Sequence, residues 1–226
     1  MKAVAIVQAR MGSTRLPGKV LKLISGTPLI EILLKRLSFS KEIDEVIVAT
    51  TNELVDDRLF SFINRLGFKC TRGSTKNVLN RYYETAKLVN ADIVIRITGD
   101  CPLIDPILVD DCIRTFKKLN VDFFSNTSPR TYPDGLDISI MSFETLKIAN
   151  NEAVTDFDKE HVIPYILSNE KFSKSSLKNS KDFSNFRWTV DEKEDLIVIN
   201  NIFNFFFPDI SFDWHKILEL QMTKPK

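Results

Sequence analysis

Three short apolar runs decide what this chain can fold into. Residues 2–9 carry Ala3-Val4-Ala5-Ile6-Val7, residues 45–50 carry Val46-Ile47-Val48-Ala49, and residues 92–97 carry Ile93-Val94-Ile95. None alternates apolar with polar residues, so each reads as a strand covered on both faces. Helical patterns stand between them. Leu29, Ile30, Ile32, Leu33, Leu34 and Leu37 form one apolar face, with Thr27 as N-cap and Pro28 as first helical residue. Leu54, Leu59, Phe60, Ile63 and Leu66 form another over 54–66, closed by Gly67. A short strand over 68–71 and a helix from about Lys76 to Val89 follow. Asp105-Pro106 opens a further helix to about Leu119. Strand and helix alternating with short connections predict an α/β fold, a mostly parallel central sheet with helices on both faces.

Beyond residue 120 the pattern changes. Val121–Ser125 and Leu136–Met141 alternate like strands around a polar loop. Helices are predicted near 143–151 and 158–169, strands over Phe172–Leu177 and Phe186–Val190, and helices from Asp191 to about Phe205 and over Ser211–Met222. With 226 residues, 43% of them hydrophobic, and no repeat or low-complexity linker, one domain over 1–226 is expected. About 1–120 would be a nucleotide-binding half and about 121–226 an acceptor half. Lys and Arg total 31 against 30 acids, which gives no reason to expect nucleic-acid binding. Cys70, Cys101 and Cys112 form no C-x-x-C pair, which predicts a reducing, cytoplasmic setting. No run approaches the roughly 18 apolar residues of a membrane helix. The stretch 136–141 and the aromatic cluster Phe203 to Phe207 fit the core by default and a homodimer contact otherwise.

The first strand runs into Arg10-Met11-Gly12-Ser13-Thr14-Arg15-Leu16-Pro17-Gly18-Lys19, a loop with three cations and no acid. Small residues let a backbone approach a ligand, and cations oppose phosphate charge. The loop is not Walker A, because its spacing is one residue too long and Val20 stands where Ser or Thr would hold magnesium. Nor is it the dinucleotide G-x-G-x-x-G. A solvated surface loop is the plain alternative. In an open α/β sheet, however, this edge is where ligands bind. Asp100, after Ile97-Thr98-Gly99, falls on the same edge and reads as a turn residue or a magnesium ligand. Asp191 with Glu194 reads equally as a helix cap or a second ligand. Tyr132-Pro133-Asp134-Gly135-Leu136-Asp137 is turn chemistry that could also bind a polyhydroxylated molecule. Two histidines without clustered cysteines argue against zinc. No nucleophile elbow is present.

Gln8 to Lys19 resembles the opening of the sugar-acid cytidylyltransferases, the CMP-Kdo synthetase and acylneuraminate cytidylyltransferase families. The branch it is most similar to is the spore coat polysaccharide biosynthesis protein F family. Gly73-Ser74 with Asn77-Val78-Leu79-Asn80-Arg81-Tyr82-Tyr83, Arg96 to Ile104, Tyr132 to Asp137, Glu160-His161-Val162 with Pro164-Tyr165, and Arg187-Trp188-Thr189-Val190-Asp191 carry that likeness in order. The resemblance implies a nucleotide-diphosphate-sugar transferase (Rossmann-like) fold. It implies CTP and a sugar acid as small-molecule substrates, Mg²⁺ as cofactor, and CMP-sugar and pyrophosphate as products. By position, Arg10, Arg15 and Lys19 would hold the triphosphate, with Lys19, Arg15 and Asp100 catalytic. Ala9, Gly12, Ser13, Gly73 and Ser74 would contact the nucleotide. Asp100 and Asp191 would hold the metal, and Tyr132, Asp137 and His161 would face the acceptor. The chain departs from the pattern at Thr98, where Kdo enzymes carry Gln, and at Ser139, where this branch often carries an acid. Another NTP-dependent nucleotidyltransferase and a nucleotide-sugar glycosyltransferase or binding protein are the alternatives. The last would usually show Asp-x-Asp after a buried strand, and none is present here.

Overall fold

The computed structural model describes residues 1–223. The chain begins with β1 (Ala3–Gln8), then a small antiparallel pair, β2 (Leu23–Ile24) and β3 (Thr27–Pro28), and α1 (Leu29–Leu37). β4 (Glu45–Thr51), α2 (Asp57–Arg65), β5 (Lys69–Gly73), α3 (Val78–Leu88), β6 (Ile93–Thr98) and α4 (Pro106–Leu119) complete the alternating part. The remainder contains β7 (Phe123–Ser125), β8 (Ser139–Ser142), α5 (Phe143–Glu152), α6 (Asp156–His161), α7 (Pro164–Ser168), β9 (Lys174–Ser176), α8 (Lys193–Phe206) and α9 (Trp214–Thr223).

One seven-stranded sheet threads both parts of the chain, in the order β5-β4-β1-β6-β8-β7-β9. β1 pairs in parallel with β4 and β6, and only β8 runs against its neighbours. The expected mostly parallel α/β fold is present. The strand order turns back on itself at β1, so a crevice opens beyond the C-terminal ends of β1 and β6.

The unbroken apolar character of β1 has a direct cause. Ala3, Ala5 and Val7 pack into one core with α1, α2, α4, α8 and α9. Val4 and Ile6 pack into a second core with α3, α5 and α7. Burying a Val or Ile side chain contributes about 1.5–3 kcal/mol, so each such strand fixes the sheet between two helical layers. Arg36 lies fully buried in the first core and donates to the carbonyls of Leu103, Ile104, Ile210 and Phe212, tying the β6–α4 loop to the C-terminal segment. Burial pulls its pKa down to about 10, against the opposing field of Asp105.

Several boundaries differ from the sequence expectation. Pro28 is extended (φ −56°, ψ 138°) and pairs with Leu23, so α1 begins at Leu29 and Thr27 is not its cap. The stretch 158–169 is two short helices, because Val162 takes φ 72° and Pro164 starts a new one. Leu136–Ile138 lies outside β8. There the Asn126 side chain donates to Leu136 and accepts from the Ile138 N–H, replacing the ladder. Phe186–Val190 forms no named strand and makes one isolated bridge, Asp134 to Arg187.

Candidate active site

β1 delivers its chain at Gln8 into the basic loop, and the loop is shaped from within. The carbonyl of Met11 accepts from Ser13 N at 3.0 Å and from Gly18 N at 2.9 Å, which draws the two ends of the loop together. Buried Asp56 accepts the Met11 N–H at 2.6 Å and the Thr51 hydroxyl, pinning the loop to the end of β4. Gly18 adopts φ 67° and leads into a single 3₁₀ turn over Lys19–Leu21. Leu16 and Val20 are buried on either side, so the Lys19 side chain is directed inward and is 11% exposed.

Asp100 arrives from β6. A Cβ on Gly99 would stand 2.8 Å from the Gln8 carbonyl and 2.9 Å from the Ala9 Cβ, so glycine is what allows the two strand ends to close together. Asp191 arrives from the far end of the chain. Val190 N donates to the Asp100 carbonyl at 2.8 Å, and Trp188 N to the Asp134 carbonyl at 2.6 Å. The extended segment 186–190 is thereby docked on the β6 loop, with Asp191 next to Asp100. The crossing is close. A Cβ on Gly135, which takes φ 109°, would lie 2.5 Å from the Trp188 carbonyl carbon.

The three pieces meet at one ammonium. Lys19 Nζ lies 2.8 Å from Asp100 Oδ2 and 2.8 Å from Asp191 Oδ1. Arg15 Nη2 reaches Asp191 Oδ1 at 3.0 Å, and Arg187 Nη2 reaches Asp191 Oδ2 at 3.1 Å. Burial opposes the charge on Lys19, yet the two carboxylates outweigh it and its pKa is raised. Burial likewise opposes charge on Asp100, yet the adjacent Lys19 holds its pKa below the ordinary value. Lys19 and Asp100 therefore both carry their charge at neutral pH.

Asp191 is not the helix cap. Asp195 accepts the N–H groups of Asp191 at 2.8 Å and Glu192 at 2.9 Å, and Glu192 is the N-cap of α8. The capping pair lies one residue beyond the Asp191–Glu194 expectation, which leaves both Asp191 oxygens for cations. A hard divalent ion fits such a pair of carboxylates, since magnesium commonly takes one or two of them plus substrate phosphates. No cluster of three or more His, Cys, Asp or Glu suited to a metal occurs among the described residues, so the oxygens of a bound ligand would have to complete the shell.

A cavity of about 290 Å³ opens over this group. Ala9, Arg10, Ser13, Arg15, Lys19, Asp100, Asp191 and His161 all line it, although they come from widely separated parts of the sequence. Gly12 does not line it, but the space where its Cβ would stand is open. Gly73 and Ser74 lie behind Arg81, whose Nη1 donates to the Ser74 carbonyl at 3.2 Å, and neither lines the cavity. Tyr132 and Asp137 are also not brought there. Tyr132 is core, edge-on to Trp214 at 5.5 Å, and burial raises its pKa to about 12. Asp137 is held by the Arg130 guanidinium at 2.5 and 2.6 Å.

Gln8, Arg81, Arg96, Glu160 and Arg187 carry no role that the sequence pattern alone assigns. The first four line the cavity, and Arg187 bridges Asp191 and Asp195. One signal was available for Arg96, a lone charge within an otherwise apolar strand. Among the described residues no helix is long and apolar enough to cross a membrane.

The chain is 39% identical over 174 residues to an uncharacterised protein of Methanocaldococcus jannaschii, covering 77% of this chain and 70% of that one. It is 33% identical over 202 residues to the spore coat polysaccharide biosynthesis protein SpsF of Bacillus subtilis, covering 84% and 81%. A cytidylyltransferase structure from Leptospira borgpetersenii superposes with a TM-score of 0.94 at 35% identity, over 98% of this chain and 94% of that one. A CMP:2-keto-3-deoxy-manno-octonic acid synthetase complexed with CTP shares the fold, with a TM-score of 0.74 at 20% identity, over 92% of this chain and 100% of that one. The cytidylyltransferase family model matches residues 4–204. That match takes in every residue of the Lys19, Asp100 and Asp191 constellation, and the chain belongs to the cytidylyltransferase family.

Proposed function

We propose that the protein transfers CMP from CTP to a hydroxyl of a 2-keto sugar acid with release of pyrophosphate. One observation carries this reading. Lys19, from the loop after β1, is shared at 2.8 Å by Asp100 from the β6 loop and Asp191 from the segment before α8. Three basic loop residues and two acids thus face one cavity at the sheet's switch point. That layout suits a metal–triphosphate complex. The name of the SpsF relative supports a place in surface polysaccharide synthesis.

In such a transfer the acceptor oxygen forms a bond to the α-phosphorus while the bond to pyrophosphate breaks. Positioning and charge neutralisation supply most of the catalysis. Asp100 and Asp191 would hold a magnesium ion, which would supply Lewis-acid stabilisation of phosphate charge and favour ionisation of the acceptor hydroxyl. Arg10 and Arg15 orient the polyphosphate from the loop side. Lys19 keeps its proton in this environment and meets the negative charge that builds on the departing pyrophosphate. Asp195 and Arg187 hold Asp191 in place from behind.

The test is a pyrophosphate-release screen crossing four NTPs with 2-keto sugar acids and sugar 1-phosphates, with and without magnesium. Magnesium-dependent release from CTP with a sugar acid is expected. Turnover confined to another NTP, or to sugar 1-phosphates, would overturn the assignment.

A further inference from the structure

The cations of the cavity divide into two sets. Arg15 and Lys19 are already paired with Asp191, Glu192 and Asp100. Arg10, Arg81 and Arg96 make no salt bridge among the described residues. Two of these are inside the protein. Arg81 is 3% exposed, Arg96 is half-buried, and the Nε–H of each is buried without an acceptor. Burying a guanidinium without an opposing carboxylate is costly, and an anion in the cavity would offset that cost.

The sheet register shows why Arg96 is left unneutralised. Arg96 on β6 stands directly across from Ser139 on β8. Paired residues share a face. Here it is the face of the second core, to which the adjoining Val94 and Met141 belong. Ser139 is 4% exposed, and its hydroxyl lies 3.4 Å from that of Ser125. An acid at position 139 would cancel the charge on Arg96, and serine leaves it available. Arg96 stands on the second-core face of the sheet, whereas Leu16 and Val20 of the basic loop pack into the first core, and Arg96 lines the cavity together with Glu160 and His161 of α6.

We infer that Arg96 is the anion-recognition residue for the acceptor, receiving a carboxylate or other oxyanion of the acceptor sugar. Arg81 adds to the positive field at the same wall. The inference rests on the reading of the protein as a CMP transferase to an acidic acceptor. It adds that position 96, freed by Ser139, sets the requirement for acceptor charge.

The experiment compares wild type, Arg96→Gln, Arg96→Lys and Ser139→Glu. Calorimetry follows CTP binding, and pyrophosphate release follows acceptor kinetics. The acceptor probes are 3-deoxy-manno-octulosonate, N-acetylneuraminate, their carboxamides and sugar 1-phosphates. Loss of one charge-assisted hydrogen bond predicts a roughly 10- to 100-fold higher KM for the acidic acceptor in Arg96→Gln. Arg96→Lys should recover part of the loss, and Ser139→Glu should reproduce it. The Kd for CTP should stay within about twofold of wild type, which also shows that each variant is folded. Carboxamide acceptors should not distinguish Arg96→Gln from wild type. An unchanged acceptor KM in Arg96→Gln would overturn the inference, as would a CTP Kd that weakens in step with it. A wild type that uses only sugar 1-phosphates, with their KM raised by Arg96→Gln, would overturn the sugar-acid reading and leave the anion subsite standing.

Discussion

A single ammonium carries most of the charge logic of the site. Lys19 is nearly enclosed and holds two carboxylates at 2.8 Å each. Removing one preorganised charge of this kind typically costs about 10²–10³ in rate. Lys19→Ala and Asp100→Asn should therefore lose about that much kcat, while circular dichroism shows both folded. Either variant retaining half of the wild-type turnover would remove that residue from the mechanism. Glycines set the other limit at this scale. Gly135→Ala combines a left-handed backbone with a Cβ 2.5 Å from the Trp188 carbonyl carbon. It should cost about 2–4 kcal/mol and lower Tm by roughly 5–12 °C. Gly12→Ala meets nothing within 4 Å and should leave Tm within about 2 °C. Equal melting of the two variants would contradict the close crossing of residues 134–135 over 187–189. Asp100 was legible in the sequence because it follows a glycine directly after a buried strand, and Lys19 because it closes the basic loop that leaves the neighbouring strand, so that both fall at one sheet edge. Arg187 was not legible, because its role depends on Asp134, Asp191 and Asp195 converging on it.

At the level of elements, the start of α8 joins a helix cap to the chemistry. Asp195 accepts two backbone N–H groups and pairs with Arg187 at 2.9 Å, which in turn holds Asp191. Burial opposes the Asp195 charge, but the Arg187 bond and the two backbone donors outweigh it and hold its pKa down to about 2. An unfolded aspartate titrates near 3.9. The folded pKa is the lower one, so the stabilisation is fully present above about pH 4 and is lost as pH falls towards about 2. Asp195→Ala should destabilise the protein by about 1 kcal/mol at neutral pH, with the gap to wild type closing as pH falls from about 4 to about 2. Its kcat should also fall, because Asp191 loses its backing. Acid-unfolding curves that stay parallel down to pH 2 would show that the cap carries no such linkage. The sequence displayed this helix and its acidic start, but not the register of the cap. Asp191, Glu192, Glu194 and Asp195 are all acids within one turn, and only the docking of Val190 on Asp100 decides which of them points where. The Phe186–Val190 stretch misled for the same reason. Its residues favour a strand, yet its partners are two loops.

Across the whole molecule, the site exists only because two parts of the chain with different patterns share one sheet. The parallel part was legible from its two-faced strands, whose period and length need no tertiary information. The later part was legible only in outline, since β7, β8 and β9 have three or four residues each and Asn126 stands in for a missing stretch of ladder. The Lys19–Asp100–Asp191 cluster spans this boundary, with Lys19 and Asp100 on one side and Asp191 on the other. A ligand that engages both sides must therefore couple them. Any ligand that binds only the folded state stabilises it by RT ln(1 + [L]/Kd), about 2.7 kcal/mol at a hundredfold excess over Kd. For a chain of this size that corresponds to a Tm rise of roughly 5–10 °C. CTP with magnesium should produce this shift in wild type at such an excess. In Asp191→Asn at the same CTP concentration, the rise should shrink by more than half, because the carboxylate contributed by the far part of the chain is gone. ATP and GTP should give less than CTP in both proteins. A full CTP shift in Asp191→Asn would mean that the nucleotide is held by the first part of the chain alone, and Asp191 would then have no role in binding the metal–triphosphate complex.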